Sequence, residues 1–211
     1  GVIRDMAEPL AQLPPFPFSE RGLQLHTQVL AFMREHVHPA CQLYDAQLAE
    51  LRRTGQQWIV IPPIIEALKV EARARGLWNL FLPSCDNFTH ECSLSNLDYA
   101  PLAELMGSVP WASEVFNCSA PDTGNMEVLA RYGTKEQQQQ WLQPLLDGRI
   151  RSAFCMTEPD VASSDATNMQ LCVSRSESGD GYILDGRKWW ASGALDPRCE
   201  LLVVMGRLED A

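Results

Sequence analysis

The 211-residue sequence lacks the features that mark several common classes of protein. Basic residues are in deficit, with Lys and Arg numbering 17 against 27 Asp and Glu, for a formal net charge of -10. A protein that grips nucleic acid neutralises phosphates with a basic face, so this balance argues against a nucleic acid partner. No apolar run approaches the roughly 20 residues that a bilayer-spanning helix needs, so no membrane span is predicted.

The cysteines form no CxxC pair, and their odd number, seven, leaves at least one thiol unpaired in any disulfide scheme. They indicate reduced thiols in an intracellular protein. The histidine pair His36 and His38, and His90 beside Cys92, have no second pair of ligands at zinc-site spacing, so no metal site is predicted. A Rossmann glycine fingerprint is also absent.

Proline is concentrated at the start of the chain, where Pro14, Pro15 and Pro17 exclude a continuous helix or a central strand. Residues 1–20 are therefore predicted to be a linker or arm. The sequence also predicts that the chain is a piece of a longer protein.

Residues 21–151 carry the spacing of three and four that is typical of helices. A first helix from Arg21 is expected to bend or end at Pro39, and a second to run from Pro62–Pro63 to a cap at Gly76. The segment 111–120 is predicted to be a buried helix.

Two further helix starts have the form of a capping box, Ser95 with Asp98 and Thr134 with Gln137. Together these signals predict an all-helical N-terminal domain over residues 21–151.

After this the periodicity changes to that of strands. Apolar Ala153 to Met156 predicts a strand, 170–176 alternates, and a later strand is expected at 200–205. The Asp185-Gly186 pair predicts a two-residue hairpin turn that joins 182–184 to 187–190. The fold class is therefore α+β, with residues 152–211 as the first part of an incomplete antiparallel β-domain.

The first of these strands runs out into a polar loop, Thr157 to Asp165, which leaves backbone N–H groups available to a ligand. On the predicted hairpin strand, Lys188, Trp190 and Ser192 would share one face, since alternate residues point the same way. If the two strands are neighbours, a planar ring rests on Trp190, which predicts a bound flavin nucleotide. Glu158 precedes a proline in the turn and is interpreted as structural.

The runs FCMTEPDVASSD and GYILDGRKWWAS resemble the acyl-CoA dehydrogenase family, and GTKEQQQQWLQPLLDGRIRSAF resembles the helix that leads into its middle β-domain. Within that family, FNCSAPDTGNMEVL is most similar to the subgroup of family members ten and eleven. The resemblance implies FAD as cofactor and an acyl-CoA substrate.

By this resemblance the cofactor-binding residues are Phe154, Met156, Thr157, Ser163, Ser164, Trp190, Ala191 and Ser192. The loop is one residue longer than the family pattern, so either Ser163 or Ser164 could contact phosphate and acyl-CoA; Ser164 is favoured because it precedes Asp165. Phe116 is the other substrate-binding candidate, as part of an acyl pocket.

The resemblance implies an enzyme that introduces an α,β double bond into fatty acyl-CoA during β-oxidation, in mitochondria or alternatively in peroxisomes. Electron-transfer flavoprotein would be the electron acceptor, and the complete enzyme a homo-oligomer. No catalytic residue is assigned here, because the family's base is a carboxylate in a C-terminal domain that this sequence is expected to lack. The alternatives are a non-catalytic fragment that binds acyl-CoA or a partner, and a related flavin-dependent acyl-CoA oxidase.

Overall fold

The computed structural model describes residues 18–209, so most of the predicted arm lies outside the described residues. The helices are α1 Glu20–Phe32, α2 His38–Arg53, α3 Pro63–Ala74, α4 Asn96–Gly107, α5 Ala112–Val115, α6 Asp122–Tyr132, α7 Lys135–Gln137 and α8 Gln143–Leu146. The strands are β1 Arg151–Cys155, β2 Cys172–Arg175, β3 Tyr182–Asp185, β4 Cys199–Val204 and β5 Arg207–Leu208. Helices precede strands along the described chain, which confirms the α+β class.

The first two helices form one continuous rod, joined by the wider π-helical turn Met33–Val37. The prediction that this helix ends at Pro39 was wrong, and the alternative, a bend there, stays a prediction. Pro39 occupies the first turn of α2, where its missing N–H and its fixed φ are tolerated. A second π-helical turn, Gln138–Leu142, joins α7 to α8.

Polar side chains begin the helices largely as predicted. Thr134 and Gln137 form the reciprocal capping box at α7. Ser95 caps α4 by accepting the N–H of Asp98, but the Asp98 carboxylate accepts the backbone N–H of Ser19 at 2.8 Å, so it ties the start of α1 to α4. The predicted helix over 111–120 was too long, because only α5 is helical there and the chain then turns at Pro121.

The hydrophobic core of the described residues lies among the helices. Its fully buried side chains include Leu25, Phe32, Leu80, Leu102 and Phe116, each of which contributes roughly 1.5–3 kcal/mol when withdrawn from water. None of the helices in the described part of the chain combines the length and apolarity that crossing a bilayer requires. By contrast, Tyr182, Ile183 and Leu184 of β3 are each more than half exposed. Polar contacts therefore matter more in the strand region than a core does.

The strands form two small sheets with mixed pairing. Strands β1 and β4 pair in parallel, with Phe154 opposite Val203, and the second sheet has the order β3-β2-β5. Only β2 and β3 are antiparallel, while β2 and β5 are parallel. The predicted antiparallel arrangement is thus correct for one of the three pairs in the described residues.

The hairpin predicted at Asp185-Gly186 was also wrong. Strand β3 pairs with the strand that precedes it, β2, through the turn at 176–181. Residues 187–190, which were predicted to be its partner, form no strand. At Gly186 the chain has φ +150° and passes so close to Leu171 that a Cβ there would lie 2.7 Å from the Leu171 Cα atom. Glycine is required at this position for a close crossing rather than for a hairpin turn.

An ionic cluster joins the helices to the strands. The Glu114 carboxylate of α5 accepts from Lys69 of α3 at 2.8 Å, from Arg151 of β1 at 2.9 Å and from Arg198, just before β4, at 2.8 Å. The Glu114 side chain is 22% exposed and those of the three cations are 9 to 21% exposed. Charges this sheltered from water need their partners, so Glu114 holds α3, β1 and β4 in one arrangement.

Asp122, at the start of α6, makes the second link between the layers. Its carboxylate accepts the Ser152 backbone N–H at 2.7 Å and the Ser152 hydroxyl at 2.6 Å, and it pairs with Arg151. The amide of Asn125 donates to the same hydroxyl at 2.9 Å. Strand β1 is therefore fixed against α6 along its first two residues.

We predict that Glu114→Gln lowers the free energy of unfolding by about 2 kcal/mol, because it leaves three sheltered cations short of one negative charge. Glu50→Gln is the control, since Glu50 pairs with Arg53 at the surface, where water screens the pair, and it should change stability far less than Glu114→Gln. Urea unfolding of both variants measures the difference. Equal losses of stability in the two variants would show that the ionic cluster does not hold the helices and strands together.

The same carboxylate predicts how stability depends on pH. Burial raises the pKa of Glu114, but Arg151, Lys69 and Arg198 outweigh burial and lower the pKa from 4.5 to about 2. A lowered folded-state pKa stabilises the fold above the unfolded value, and this stabilisation is lost as pH falls through the folded value. The stability advantage of the wild type over Glu114→Gln should therefore shrink between pH 4.5 and about 2. Urea midpoints at successive pH values measure it, and a constant gap would contradict the assignment.

Candidate functional site

The loop that follows β1 is organised by one buried carboxylate. Glu158 is 4% exposed, and it accepts the backbone N–H groups of Gln170 at 2.6 Å and Leu171 at 2.9 Å. The Lys188 ammonium completes the set at 2.7 Å. Glu158 therefore joins the loop after β1, the residues just before β2 and the segment after β3.

These contacts determine the protonation state of Glu158. Burial raises its pKa, but the hydrogen bonds from Lys188, Leu171 and Gln170 together outweigh burial and lower the pKa to about 2. A carboxylate held ionised by three donors is a poor proton acceptor near neutral pH. The interpretation of Glu158 as structural agrees with this geometry.

Residues 187–190 lie beside the loop, as the flavin hypothesis requires, although not as a hairpin strand. The Lys188 ammonium also donates to the Met156 carbonyl at 2.8 Å, and the Trp189 N–H donates to the Thr157 carbonyl at 3.0 Å. The two predicted halves of the site are thus in direct contact. Because the segment is not a strand, the predicted shared face of Lys188, Trp190 and Ser192 was wrong: Lys188 points into the protein and Trp190 out of it.

Trp190 has an unusual backbone and an unusual exposure. Its φ is +53°, a left-handed conformation that a bulky residue rarely adopts, and 78% of the residue is exposed. The Trp189 ring is nearby, with ring centroids 5.5 Å apart and planes tilted by 51°. A large flat ring is therefore held in solvent contact on a backbone that carries strain.

The two candidate serines have different surroundings. The Ser163 hydroxyl accepts the Glu158 backbone N–H at 3.0 Å, so it is used inside the loop. Ser164 is exposed, and its hydroxyl makes no hydrogen bond to another residue of the described range 18–209. Of the two, Ser164 is the one available to a ligand.

The other predicted site residues are divided between the same surface and the core. Phe154 and Met156 are half-buried in and just after β1, Ala191 is half-buried, and Ser192 is exposed. Phe116 is fully buried in the helical core, with its ring edge-on to Phe32 at 5.3 Å. In this structure Phe116 is a packing residue, and the structure does not bring it together with the loop.

Open space near the site is limited. The crevice inside the loop, lined by Met156, Val161, Ser163, Asp165, Ala166 and Met169, is too narrow to admit a water molecule. A larger cleft of ≈510 Å³ lies among the helices, where the Arg73 guanidinium covers the Trp78 ring at 4.2 Å from its centroid. The exposed Trp190 face is the better candidate for a planar ligand, since its ring has no such cover. Among residues 18–209, no three or more His, Cys, Asp or Glu side chains are grouped as a metal site.

Sequence reasoning missed the importance of Lys188. The residue was placed on the ligand face, whereas its side chain is 10% exposed and paired with Glu158. The sequence signal for this pair was a lysine directly before two tryptophans, together with a glutamate directly before a proline. Their separation of thirty residues hides the pair from local patterns.

Comparisons with known proteins agree with the resemblance. Residues 153–211 match the family model for the middle domain of acyl-CoA dehydrogenase. Acyl-CoA dehydrogenase family member 11 of Gallus gallus is 51% identical over 193 residues, which are 92% of this chain and 24% of that protein. Family member 10 of Mus musculus is 48% identical over 199 residues, 93% of this chain and 18% of that protein.

Solved structures show the same fold. A Mycobacterium abscessus chain assigned to the acyl-CoA dehydrogenases superposes with a TM-score of 0.81 at 48% identity, covering 93% of this chain and 48% of that one. PigA, solved with FAD and proline, superposes with a TM-score of 0.62 at 25% identity, covering 92% of this chain and 45% of that one.

The chain thus spans between about a fifth and a half of the length of these relatives. The matched region of this chain contains its helices, its strands and both segments that carry the motifs. By sequence and by fold, the chain belongs to the acyl-CoA dehydrogenase family, with family members 11 and 10 among its relatives.

Proposed function

We propose that the surface formed by the Thr157 loop and residues 189–192 binds the flavin ring of FAD. The observation that carries this proposal is Trp190, whose strained backbone presents an exposed ring beside a polar loop. Strain of this kind persists at ligand sites, because the surrounding structure holds it in place for a purpose other than stability.

Three hydroxyl groups on the two segments of the proposed site are available to a flavin. The hydroxyls of Thr157, Ser164 and Ser192 make no hydrogen bond to another residue within 18–209, so each is available to a ligand. An aromatic face bordered by hydroxyl and backbone donors suits a ring system with polar edges. PigA, a fold neighbour of this chain, was solved with FAD, which supports the choice of cofactor.

The proposed parent activity is that of an FAD-dependent acyl-CoA dehydrogenase. Bound FAD would supply the hydride acceptor when two hydrogens are removed from adjacent carbons of an acyl-CoA. The proposal includes electron-transfer flavoprotein as acceptor, homo-oligomeric assembly, and a role in fatty acid β-oxidation in mitochondria or peroxisomes. The contribution of this chain is to hold and orient the ring.

We assign proton abstraction to a residue outside these 211. Glu158, the buried carboxylate between the two segments of the proposed site, is held ionised by Lys188 and two backbone N–H groups, with a pKa of about 2. This chain covers no more than about half of the relatives described above, which leaves room for the base elsewhere in the longer protein.

We predict that Trp190→Ala weakens FAD binding to the 211-residue chain by about tenfold, because stacking on the exposed ring is lost. Trp58→Ala is the matched control, since Trp58 is also an exposed tryptophan, at 71%, but lies between α2 and α3. Titration followed by flavin fluorescence measures both affinities.

An equal affinity for the Trp190→Ala and Trp58→Ala variants would contradict the proposed stacking. A wild-type chain that remains colourless with FAD, yet gains thermal stability with acyl-CoA, would replace the proposal with a non-catalytic acyl-CoA-binding module. Hydrogen peroxide formation by the longer, FAD-loaded protein during acyl-CoA turnover would indicate an oxidase instead.

The two serines should behave differently. Ser163→Ala removes the acceptor for the Glu158 N–H and should lower the free energy of unfolding by about 1 kcal/mol. Ser164→Ala should leave stability within about 0.5 kcal/mol of the wild type while weakening FAD or acyl-CoA binding. Thermal unfolding and ligand titration of both variants test this, and the reverse pattern would assign the ligand contact to Ser163.

A further inference from the structure

The segment that carries Trp190 has no place in a sheet. Residues 187–190 follow β3 but pair with no strand in the described chain, so no ladder of backbone hydrogen bonds fixes them. Their position must come from other contacts.

Those contacts converge on Lys188 and Trp189. The Lys188 ammonium donates to the Glu158 carboxylate at 2.7 Å and to the Met156 carbonyl at 2.8 Å. The next residue, Trp189, donates its N–H to the Thr157 carbonyl at 3.0 Å. Two adjacent residues of one segment are thus bound to three consecutive residues of the other, which leaves little freedom to slide or rotate.

The ion pair is buried at both ends, with the Lys188 side chain 10% and the Glu158 side chain 4% exposed. A buried pair contributes little net stability, because desolvation offsets the attraction between the charges. What such a pair can contribute is a defined arrangement, since any other position leaves a charge buried without a partner.

The strained residue follows this anchor directly. A left-handed Trp190 is strained, so the chain would relax unless its neighbours hold it. Lys188 lies two residues before it and is the most buried residue of the segment.

We propose that Lys188 is a positioning residue of the flavin site, which acts through Glu158 and Met156 to hold the Trp190 ring in the orientation that receives the cofactor. This inference rests on the proposed flavin site. Lys188 itself does not touch the ligand, because its three-donor head is directed into the protein and is shared by two acceptors there.

A neighbouring ion pair provides a matched control. Arg187 and Asp160 join the same two segments at 3.0 Å, but their side chains are 72% and 67% exposed. An exposed pair of this kind fixes little, because water competes for both groups. If burial is what makes Lys188 an anchor, removing the adjacent charge at Arg187 should have no effect on the ring.

The test compares the full 211-residue chain with Lys188→Met, the double variant Glu158→Gln/Lys188→Met and Arg187→Met. The double variant removes both charges, so it avoids a buried unpaired carboxylate and keeps the experiment informative if Lys188→Met fails to fold. Lys188→Arg tests rescue, since it restores the charge.

The first readout needs no cofactor. The rings of Trp189 and Trp190 lie 5.5 Å apart at a 51° tilt, an arrangement that gives exciton-coupled circular dichroism. We expect the coupled band to be lost in the double variant, retained in Arg187→Met and partly restored in Lys188→Arg. A role in folding alone would lower the melting temperature without changing this band in the folded protein.

The second readout is the affinity for FAD. We expect a roughly tenfold loss in the double variant and no change in Arg187→Met. A double variant with the wild-type band and wild-type affinity would overturn the role of Lys188 while leaving the flavin site intact. Failure of the wild type to bind FAD would instead overturn the proposed function, and the inference with it.

Discussion

A buried carboxylate has to be satisfied by donors, and the candidate site is built around that requirement at Glu158. Two backbone N–H groups from the residues just before β2 and one ammonium from Lys188 meet at its two oxygens. None of the three donor residues belongs to the helical core cluster, whose buried members run from Leu25 to Ile150. Where apolar burial is scarce, a single charge with three donors can define the relative positions of three segments.

Sheltered carboxylates with several donors also fix the arrangement where the helices meet the strands. Glu114 and Asp122 bring Lys69, Arg151 and Arg198 together where the helices meet β1 and β4. Ion pairs therefore hold strand β1 at its first residue, and a further ion pair holds the chain just beyond its last residue. The short strand between them is held at both ends, which explains how a two-stranded sheet can carry a defined site.

Local patterns predicted the parts of this fold that local interactions control. Thr134 caps its helix because the partner is three residues away, and the strand before Thr157 ends one residue before the apolar run does. Gly186 shows where such reasoning fails. An Asp-Gly pair favours a hairpin turn, but close contact with Leu171 and the anchoring of Lys188 on Glu158 direct the chain elsewhere. Both contacts join residues at least fifteen positions apart, and no sequence window spans them. The left-handed Trp190 was unpredictable for the same reason, since its conformation follows from where its neighbours are held.

Strain and anchoring at this site explain each other. Trp190 has two unfavourable features. Its backbone is strained at φ +53°, and its mostly exposed ring leaves apolar surface in water. Packing covers little of the ring, since Trp190 is 78% exposed and the Trp189 ring is its only aromatic neighbour in the described chain. The Lys188 pair and the Trp189 N–H bond hold the backbone, but they do nothing for the exposed ring face. A flat ligand on that face would withdraw the apolar surface from water without requiring Trp190 to move. The arrangement is thus preorganised: the cost of orienting the ring is met in the folded protein, and binding adds only the contact.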